Sequence, residues 1–398
     1  MLKKAIFNVF TIIVFIASFQ ILGTLILARN LTKPEFGIYR LILTIVELGS
    51  FIALIGIDHS LVRFFSSAEI SFKEYNWKGF LKKFSLFSLL LIFIITYIVA
   101  IIYKFSPFIN ICIIVLLYMT LTIFMLSSLL RAQKKYALSI FLARQHFLIF
   151  FLCLLMLYIF KNISVTNLLI CHIIASTLSN FILILYSLKN VPSGNTPIPF
   201  SVLKNGFYFF GIGVSLMITL KASYLFIGKM LSYKDIAIYA VIASTMRLFE
   251  FEQDASYYVL VPHLNTKKHI SFKRVLGLLL SIGLVTALIY ILFGKTIVHL
   301  FFKGLYDTGI YLIPLFIAIG FIRLIYVLPA SIISGRGSED ILRKYFYFTM
   351  LFSIINIGLF YVFIPKWGLK GAAIASAVTW AMLLITGSLL TKKHYINE

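Results

Sequence analysis

The run FSLFSLLLIFIITYIVAIIY (residues 84–103) carries no charge and is long enough to cross the hydrocarbon core of a bilayer as a helix. Comparable apolar runs recur along the whole chain of 398 residues, which is 61% hydrophobic and only 12% charged. The mean hydropathy is +1.02. Backbone amides and carbonyls in lipid find hydrogen-bond partners only within helices or closed barrels. The sequence therefore predicts an all-α polytopic membrane protein.

Working outward from this run, we place about twelve transmembrane helices. The first follows two lysines, and its apolar run is longer than the core of a signal peptide, so we interpret it as a span. The predicted spans are 5–28, 38–62, 84–104, 107–129, 137–160, 164–187, 205–228, 236–262, 275–293, 310–333, 345–364 and 370–391.

The chain carries 36 Lys and Arg against 13 Asp and Glu, a formal net charge of +23. In a soluble protein this excess would suggest nucleic acid. Here most charges lie between spans, where topology and anionic membrane lipids account for them. With both termini in the cytoplasm, about 21 Lys and Arg fall on the inner side and about 11 on the outer side. We therefore predict cytoplasmic termini, anionic lipids as partners and no nucleic-acid partner.

A shift of 200 residues aligns two segments that each join one long span to the next. Residues 29–39 (RNLTKPEFGIY) align with residues 229–239 (KMLSYKDIAIY), and Leu, Ile and Tyr are shared at three positions. Six spans followed by six in the same orientation predict two lobes related by a pseudo-two-fold axis along the membrane normal. The predicted hinge is the proline-rich link at 189–199. The predicted domains are 1–188 (N-terminal six-helix lobe), 189–203 (inter-lobe cytoplasmic linker) and 204–398 (C-terminal six-helix lobe).

Charged side chains inside spans cost about 2.5–3.5 kcal/mol each by insertion scales, so they indicate function or internal pairing. Arg247, Glu250 and Asp254 fall on one stripe of the eighth span. Arg247 is also the repeat mate of Glu47, which suggests a contact between the two lobes. A cavity lined by bases would suit a phosphate or pyrophosphate, which arginine grips by forked hydrogen bonds. The candidate substrate-binding residues are Lys221, Arg323, Arg247, Arg144 and Arg63, and the candidates for ion coupling or charge pairing are Glu47, Asp58, Glu250 and Asp254.

Two other interpretations of these charges remain open. Arg247 could pair with a carboxylate of its own or a neighbouring helix without touching a substrate. Lys221 and Arg323 have no acidic neighbour close in sequence, which makes such pairing a weaker explanation for them. The acidic group at residues 250–254 could instead bind a coupling cation or a proton.

No motif of a soluble enzyme occurs in the chain: there is no GxxxxGK[ST], HExxH, CxxC pair or GxSxG. The three cysteines lie in apolar runs without metal-ligand spacing, and the seven histidines form no metal motif. We expect no enzyme activity, no catalytic residue, no cofactor and no metal site. A polytopic enzyme with intramembrane His and acidic pairs is the alternative.

The stretch from Leu27 to Phe65 resembles the first hairpin of polysaccharide flippases. These are the O-antigen and capsule repeat-unit transporters of the multidrug/oligosaccharidyl-lipid/polysaccharide exporter superfamily. Residues 129–144 are similar to the family's basic turn between spans four and five, and residues 364–378 to the glycine-rich start of a late span. The hairpin pattern, L-x-x-x-x-F/Y-G-x-Y and then a span ending in glycine and R-F/Y, is filled by Leu31, Phe36, Gly37, Tyr39, Gly56, Arg63 and Phe64.

This resemblance implies a bacterial inner-membrane protein that works by alternating access. It implies an undecaprenyl-pyrophosphate-linked oligosaccharide as substrate, moved to the outer leaflet for surface polysaccharide synthesis, with a polysaccharide polymerase as a partner. Many relatives have fourteen spans, whereas about twelve are predicted here, as in the multidrug-extrusion branch. The main alternative is therefore a cation-coupled multidrug exporter of the same superfamily, in which acidic residues would dominate the cavity. A structural membrane scaffold is a third alternative, and it predicts that the inner bases tolerate neutralisation.

Overall fold

The computed structural model describes residues 2–66, 73–199, 201–266 and 272–396. Within these ranges every regular element is helical, and β-pairing is limited to one isolated bridge between Tyr75 and Thr196. Ten of the described helices are long and apolar enough to span a membrane. The last of these ten helices contains two spans, which gives eleven. The remaining span, the eighth in chain order, consists of two shorter helices and brings the number to twelve. The predicted all-α, twelve-span membrane fold is therefore confirmed.

The first six spans end at residue 190. The second span is divided after Leu54, where Ile55 and Gly56 both have positive φ angles and interrupt the helical hydrogen bonds. The helices of this half are α1 (Leu2–Asn30), α2 (Lys33–Leu54), α3 (Ile57–Ser66), α4 (Trp77–Tyr103), α5 (Pro107–Ala132), α6 (Tyr136–Ile159) and α7 (Val165–Asn190).

The second six spans repeat this order of elements. The eighth span is divided earlier than its repeat mate, after Thr245, with Met246 between its two parts. A 3-10 helix (Asp307–Leu312) precedes the tenth span. The helices of this half are α8 (Ser201–Met230), α9 (Tyr233–Thr245), α10 (Arg247–Thr266), α11 (Phe272–Phe302), α12 (Ile313–Arg336) and α13 (Glu339–Ile396).

The α13 segment contains the last two predicted spans. A straight helix of its 58 residues would be about 87 Å long, almost three times the thickness of a hydrocarbon core. The chain turns instead at Gly368, whose φ of 56° and ψ of −133° suit a residue without a Cβ. Pro365 also removes one helical donor just before the turn. The spans predicted at 345–364 and 370–391 are thus two separate crossings.

By contact, the chain divides into two compact units: residues 1–27 with 42–214, and residues 28–41 with 215–398. The second unit includes the turn between α1 and α2. In that turn, Arg29 donates from Nε to the carbonyl of Phe301 at 2.7 Å, which satisfies a free carbonyl at the end of α11. The finer domain division at 1–188, 189–203 and 204–398 remains a prediction.

The predicted inter-lobe linker is anchored within the first unit, against residues 73–77. The amide of Asn76 donates to the carbonyl of Thr196 at 2.7 Å. The buried indole of Trp77 donates from Nε1 to the carbonyl of Pro192 at 2.6 Å. The first part of the linker is therefore tied to the chain just before α4, and its role as a hinge remains a prediction.

Candidate functional site

A cavity of about 90 Å³ lies within the second unit, between α8, α9, α10, α12 and α13. It brings together three of the charged residues that the sequence singled out, although they come from three different helices. Its charged lining residues are Lys221, Glu250 and Arg323, and its aromatic lining residues are Tyr224, Tyr239, Phe249, Phe316 and Trp380.

Arg323 contributes a guanidinium group to this cavity. Its Nη1 donates to Oε1 of Glu250 at 3.3 Å, and its guanidinium carbon lies 5.3 Å from the ring centroid of Trp380. The Arg323 side chain is 15% exposed and that of Glu250 is 45% exposed. Among the described residues, nothing accepts a hydrogen bond from the buried Nε of Arg323. The guanidinium thus keeps donor capacity that a bound anion could use.

The pairing of Arg323 with Glu250 depends on close packing between α10 and α12. Gly320 lies one turn before Arg323, and a Cβ there would be 2.5 Å from Cδ2 of Phe249. The absence of a side chain at Gly320 lets the Phe249 ring rest on α12. Glu250, the next residue on α10, then comes within reach of the guanidinium.

Two bases and one carboxylate are the charged side chains of the described cavity lining. Arg323, Arg247 and Lys221 all lie close enough to Glu250 to interact with it electrostatically. Three bases therefore surround one carboxylate within the membrane-spanning region. Basic side chains beside a cavity are suited to bind an anion.

Aromatic rings give part of the cavity lining an apolar character. The rings of Tyr224 and Tyr239 meet edge to face at 5.4 Å, and Tyr239 contacts Phe316 in the same way at 5.0 Å. Trp380 is also in edge contact with Tyr326. Tyr239 is a repeat mate that the sequence identified, but nothing in the sequence predicted its place in the cavity wall.

In the first unit, Asp58 on α3 lies in a different charge pair. Arg131, in the last turn of α5, donates from Nη2 to Oδ2 of Asp58 at 3.4 Å. The Asp58 side chain is 8% exposed and that of Arg131 is 31% exposed. The sequence analysis did not select Arg131. Its position at the end of an apolar run resembled an ordinary interfacial arginine, and its partner lies on a distant helix.

The other predicted site residues lie outside the cavity. Arg144 on α6 and Glu47 on α2 both interact electrostatically with His146 in the first unit. Asp254 is partly buried on α10, one turn beyond Glu250. Arg63 lies on α3, and its side chain is outside the part of the chain that is described. The suggested contact between Glu47 and Arg247 stays a prediction.

The described segments offer none of the side-chain groupings that metal sites require. No group of three or more His, Cys, Asp or Glu side chains there is placed to hold a metal ion. The cavity instead offers guanidinium, ammonium, hydroxyl and aromatic groups, which recognise anions and apolar or sugar-like surfaces.

Solved structures of membrane transporters share this fold. The lipid II flippase MurJ in an inward closed conformation is 14% identical with a TM-score of 0.70, over 97% of this chain and 88% of that chain. A mutant of the Vibrio cholerae MATE transporter VcmN is 12% identical with a TM-score of 0.64, over 100% of this chain and 97% of that chain. A MOP superfamily transporter from Pyrococcus furiosus is 11% identical with a TM-score of 0.58, over 99% of this chain and 96% of that chain. At these identities the similarity shows the fold alone.

Sequence comparison gives the family. Comparison with curated proteins finds no match. The family described as polysaccharide biosynthesis protein matches residues 26–269, which is more than half of the chain and includes the hairpin at 27–65. The resemblance noted in the sequence is thereby confirmed. This chain belongs to the polysaccharide biosynthesis protein family, and its fold is that of the transporters and flippases of the multidrug/oligosaccharidyl-lipid/polysaccharide exporter superfamily.

Proposed function

We propose that this protein is a flippase for undecaprenyl-pyrophosphate-linked oligosaccharide repeat units, which it moves across the bacterial inner membrane by alternating access. The observation that carries this proposal is the cavity lined by Lys221, Arg323 and Glu250, whose carboxylate also interacts electrostatically with Arg247. Partly buried bases are costly in a membrane, and an anion that they bind accounts for their position beside the cavity.

The pyrophosphate group suits this arrangement in shape as well as charge. A guanidinium presents planar N–H groups that can donate two parallel hydrogen bonds to phosphate oxygens. The plane of Arg323 is supported by its contact with Trp380, which limits the orientations that the guanidinium adopts. Lys221 adds a more flexible ammonium donor to the lining of the same cavity.

The size of the cavity supports a mechanism in which the lining helices separate. Its volume of about 90 Å³ holds only a few water molecules. Pockets that enclose drug-sized ligands measure roughly 300–1,000 Å³. A lipid-linked oligosaccharide therefore needs a wider state of the same cavity, as alternating access provides.

Charge and hydropathy indicate how the protein is oriented in the membrane and which lipids it meets. We place both termini in the cytoplasm, and the exposed Lys78, Lys82 and Lys83 at the start of α4 then suit anionic lipids of the inner leaflet. The flipped substrate is then consumed by a polysaccharide polymerase on the outer side.

A second candidate is a cation-coupled multidrug exporter. The half-exposed carboxylate of Glu250 in the cavity favours it, because a cationic drug would be attracted there. The surrounding bases oppose it, since a drug cation would have to approach three positive side chains.

Binding to purified protein in nanodiscs distinguishes these candidates. Undecaprenyl pyrophosphate and the lipophilic cation tetraphenylphosphonium are the probes. The Arg323→Gln variant should weaken undecaprenyl pyrophosphate binding about tenfold to a hundredfold, the loss expected for one charged hydrogen-bond partner. The matched control is Arg343→Gln, which removes an exposed arginine paired with Asp340 and should leave binding unchanged. Binding of the cation alone, lost in Glu250→Gln, would establish the drug exporter instead.

A further inference from the structure

Glu252 lies on α10 two residues after Glu250, on a different face of the helix. Two residues turn the side-chain direction by about 200°, so these two carboxylates point to nearly opposite sides. Glu250 faces the cavity and Arg323 of α12. Glu252 faces α11, where the hydroxyl of Thr286 donates to its Oε1. One helix thus holds two carboxylates in contrasting environments.

The surroundings of Glu252 do not satisfy an ionised carboxylate. Thr286 is only 2% exposed, and it provides a single hydroxyl donor. The second oxygen, Oε2, is fully buried and has no hydrogen-bond partner among the described residues. A carboxylate has about four acceptor positions. A charged Glu252 would therefore leave an unsatisfied, negatively charged oxygen inside the membrane, which is costly.

The charged groups of the neighbouring helices do not compensate Glu252. Arg323 of α12 is already engaged with Glu250. The ionisable neighbour contributed by α11 is Tyr290, which interacts electrostatically with Glu252. The bases of α11 lie at least about 13 Å from Thr286 along the helix, because nine or more residues separate them. The other charged residues of these helices whose side chains are described are Arg247, Glu250 and Asp254 on α10, Lys273, Arg274, Lys295 and His299 on α11, and Lys234 and Asp235 at the start of α9.

We propose that Glu252 is a proton-binding site and that the proton bound there is the coupling ion of this transporter. The step transfers one proton from water to Oε2, which converts the carboxylate into a neutral carboxylic acid. The inference rests on the proposed transport function for its coupling role, but not for the proton site itself. The chemistry at Oε2 is that of any buried carboxyl without a counter-ion.

The same face of α11 connects this site to the break in the eighth span. Tyr290 lies one turn after Thr286 and donates from its hydroxyl to the carbonyl of Thr245 at 2.7 Å. The amide of Leu248 donates to the same hydroxyl at 3.4 Å. Tyr290 therefore bridges the end of α9 and the start of α10 across Met246. A change in the charge of Glu252 acts on the helix junction that positions Arg247 and Glu250 beside the cavity.

A metal cation is a poorer occupant of this site. A hard cation takes about six or more oxygen ligands, whereas the described surroundings supply one carboxylate and one hydroxyl from side chains. A proton needs a single acceptor atom, and Oε2 provides it.

Infrared spectroscopy of the purified protein detects the proton directly through the C=O band of a protonated carboxyl group. At neutral pH the wild type should show this band, and the band should disappear in alkaline buffer and in Glu252→Gln. The matched control is Glu339→Gln at the exposed start of α13, which should retain the band. Thr286→Val keeps the carboxyl but removes its donor, so the band should shift in frequency. A band that is absent in the wild type, or unchanged in both Glu252→Gln and Thr286→Val, would overturn the proton site.

Reconstituted vesicles test the coupling role separately. A proton gradient should accelerate translocation of a fluorescent undecaprenyl-pyrophosphate probe by the wild type and by Glu339→Gln, and a sodium gradient should not. Glu252→Gln should lose the acceleration while still binding the probe. A retained response to the proton gradient, or a response only to sodium, would overturn the coupling inference. If the wild type moves no probe at all, the proposed substrate is wrong, and the infrared band alone decides the proton site.

Discussion

Arg323 and Glu250 form a salt bridge of 3.3 Å across the cavity of the second unit, although 73 residues separate them in the chain. The guanidinium is mostly buried and rests against Trp380, while the carboxylate is half-exposed. Under the proposed function, Glu250 occupies part of the surface of Arg323 that a phosphate group would use. Substrate binding then exchanges one anionic partner of the arginine for another, which keeps the buried charge compensated in both states.

Neutralising Glu250 should therefore strengthen binding of a lipid pyrophosphate. Glu250→Gln removes the competing charge, with which Arg323, Arg247 and Lys221 all interact. We expect the dissociation constant of undecaprenyl pyrophosphate to fall about tenfold, as one close charge interaction of about 1.4 kcal/mol would give. Isothermal titration in nanodiscs measures this. Weaker binding by a well-folded Glu250→Gln protein would show that the carboxylate assists the substrate instead.

The contact with the Trp380 ring should help to orient the guanidinium of Arg323 for substrate binding. Trp380→Leu removes the ring face, whereas Trp380→Phe keeps a smaller one. We expect Trp380→Leu to weaken lipid pyrophosphate binding by about 0.5–2 kcal/mol, and Trp380→Phe to lose less. The same titration measures both variants. Equal losses in Phe and Leu variants would indicate that packing volume, and not the cation–π contact, determines the effect.

Hydropathy was sufficient to predict the fold, but the charge pairs could not be predicted from the sequence. Runs such as residues 84–103 give the position of each span almost independently of its neighbours. The Arg323–Glu250 pair depends instead on how closely α10 approaches α12 at Gly320, which is a tertiary property. For the same reason the lack of an acidic neighbour close to Arg323 in sequence carried little information about its partner.

The helix breaks are a second feature that periodicity did not predict. The repeat aligns Glu47 with Arg247, yet α2 continues to Leu54 and the eighth span breaks already after Thr245. Glu47 thus lies within a continuous helix, whereas Arg247 begins a new one. Two residues that correspond under the 200-residue shift can therefore differ in local backbone conformation.

The Asp58–Arg131 pair of the first unit should stabilise that unit. Asp58→Asn leaves the arginine without this carboxylate in a mostly buried position, and we expect a loss of about 1–3 kcal/mol in unfolding free energy. The double variant with Arg131→Gln should recover part of the loss. Thermal or denaturant unfolding in detergent gives the values. Asp340→Asn, which breaks an exposed pair on α13, is the control and should change stability by less than about 1 kcal/mol.

The anchored linker offers a second test of stability. Trp77→Phe keeps a buried aromatic ring but loses the hydrogen bond from Nε1 to Pro192. We expect a loss of about 1 kcal/mol and faster trypsin cleavage after Lys189. Trp367→Phe, at an exposed position, should behave as the wild type. An unchanged cleavage rate in Trp77→Phe would mean that the backbone contacts alone hold the linker.

The accumulation of lipid-linked sugar in cells that lack this protein tests the central claim most directly. The account predicts that undecaprenyl-linked repeat units collect on the cytoplasmic side of the membrane. The wild type and Arg343→Gln should clear them, and well-expressed Lys221→Ala and Arg323→Ala should not. Normal surface polysaccharide without a trapped intermediate would contradict the account and favour the drug exporter.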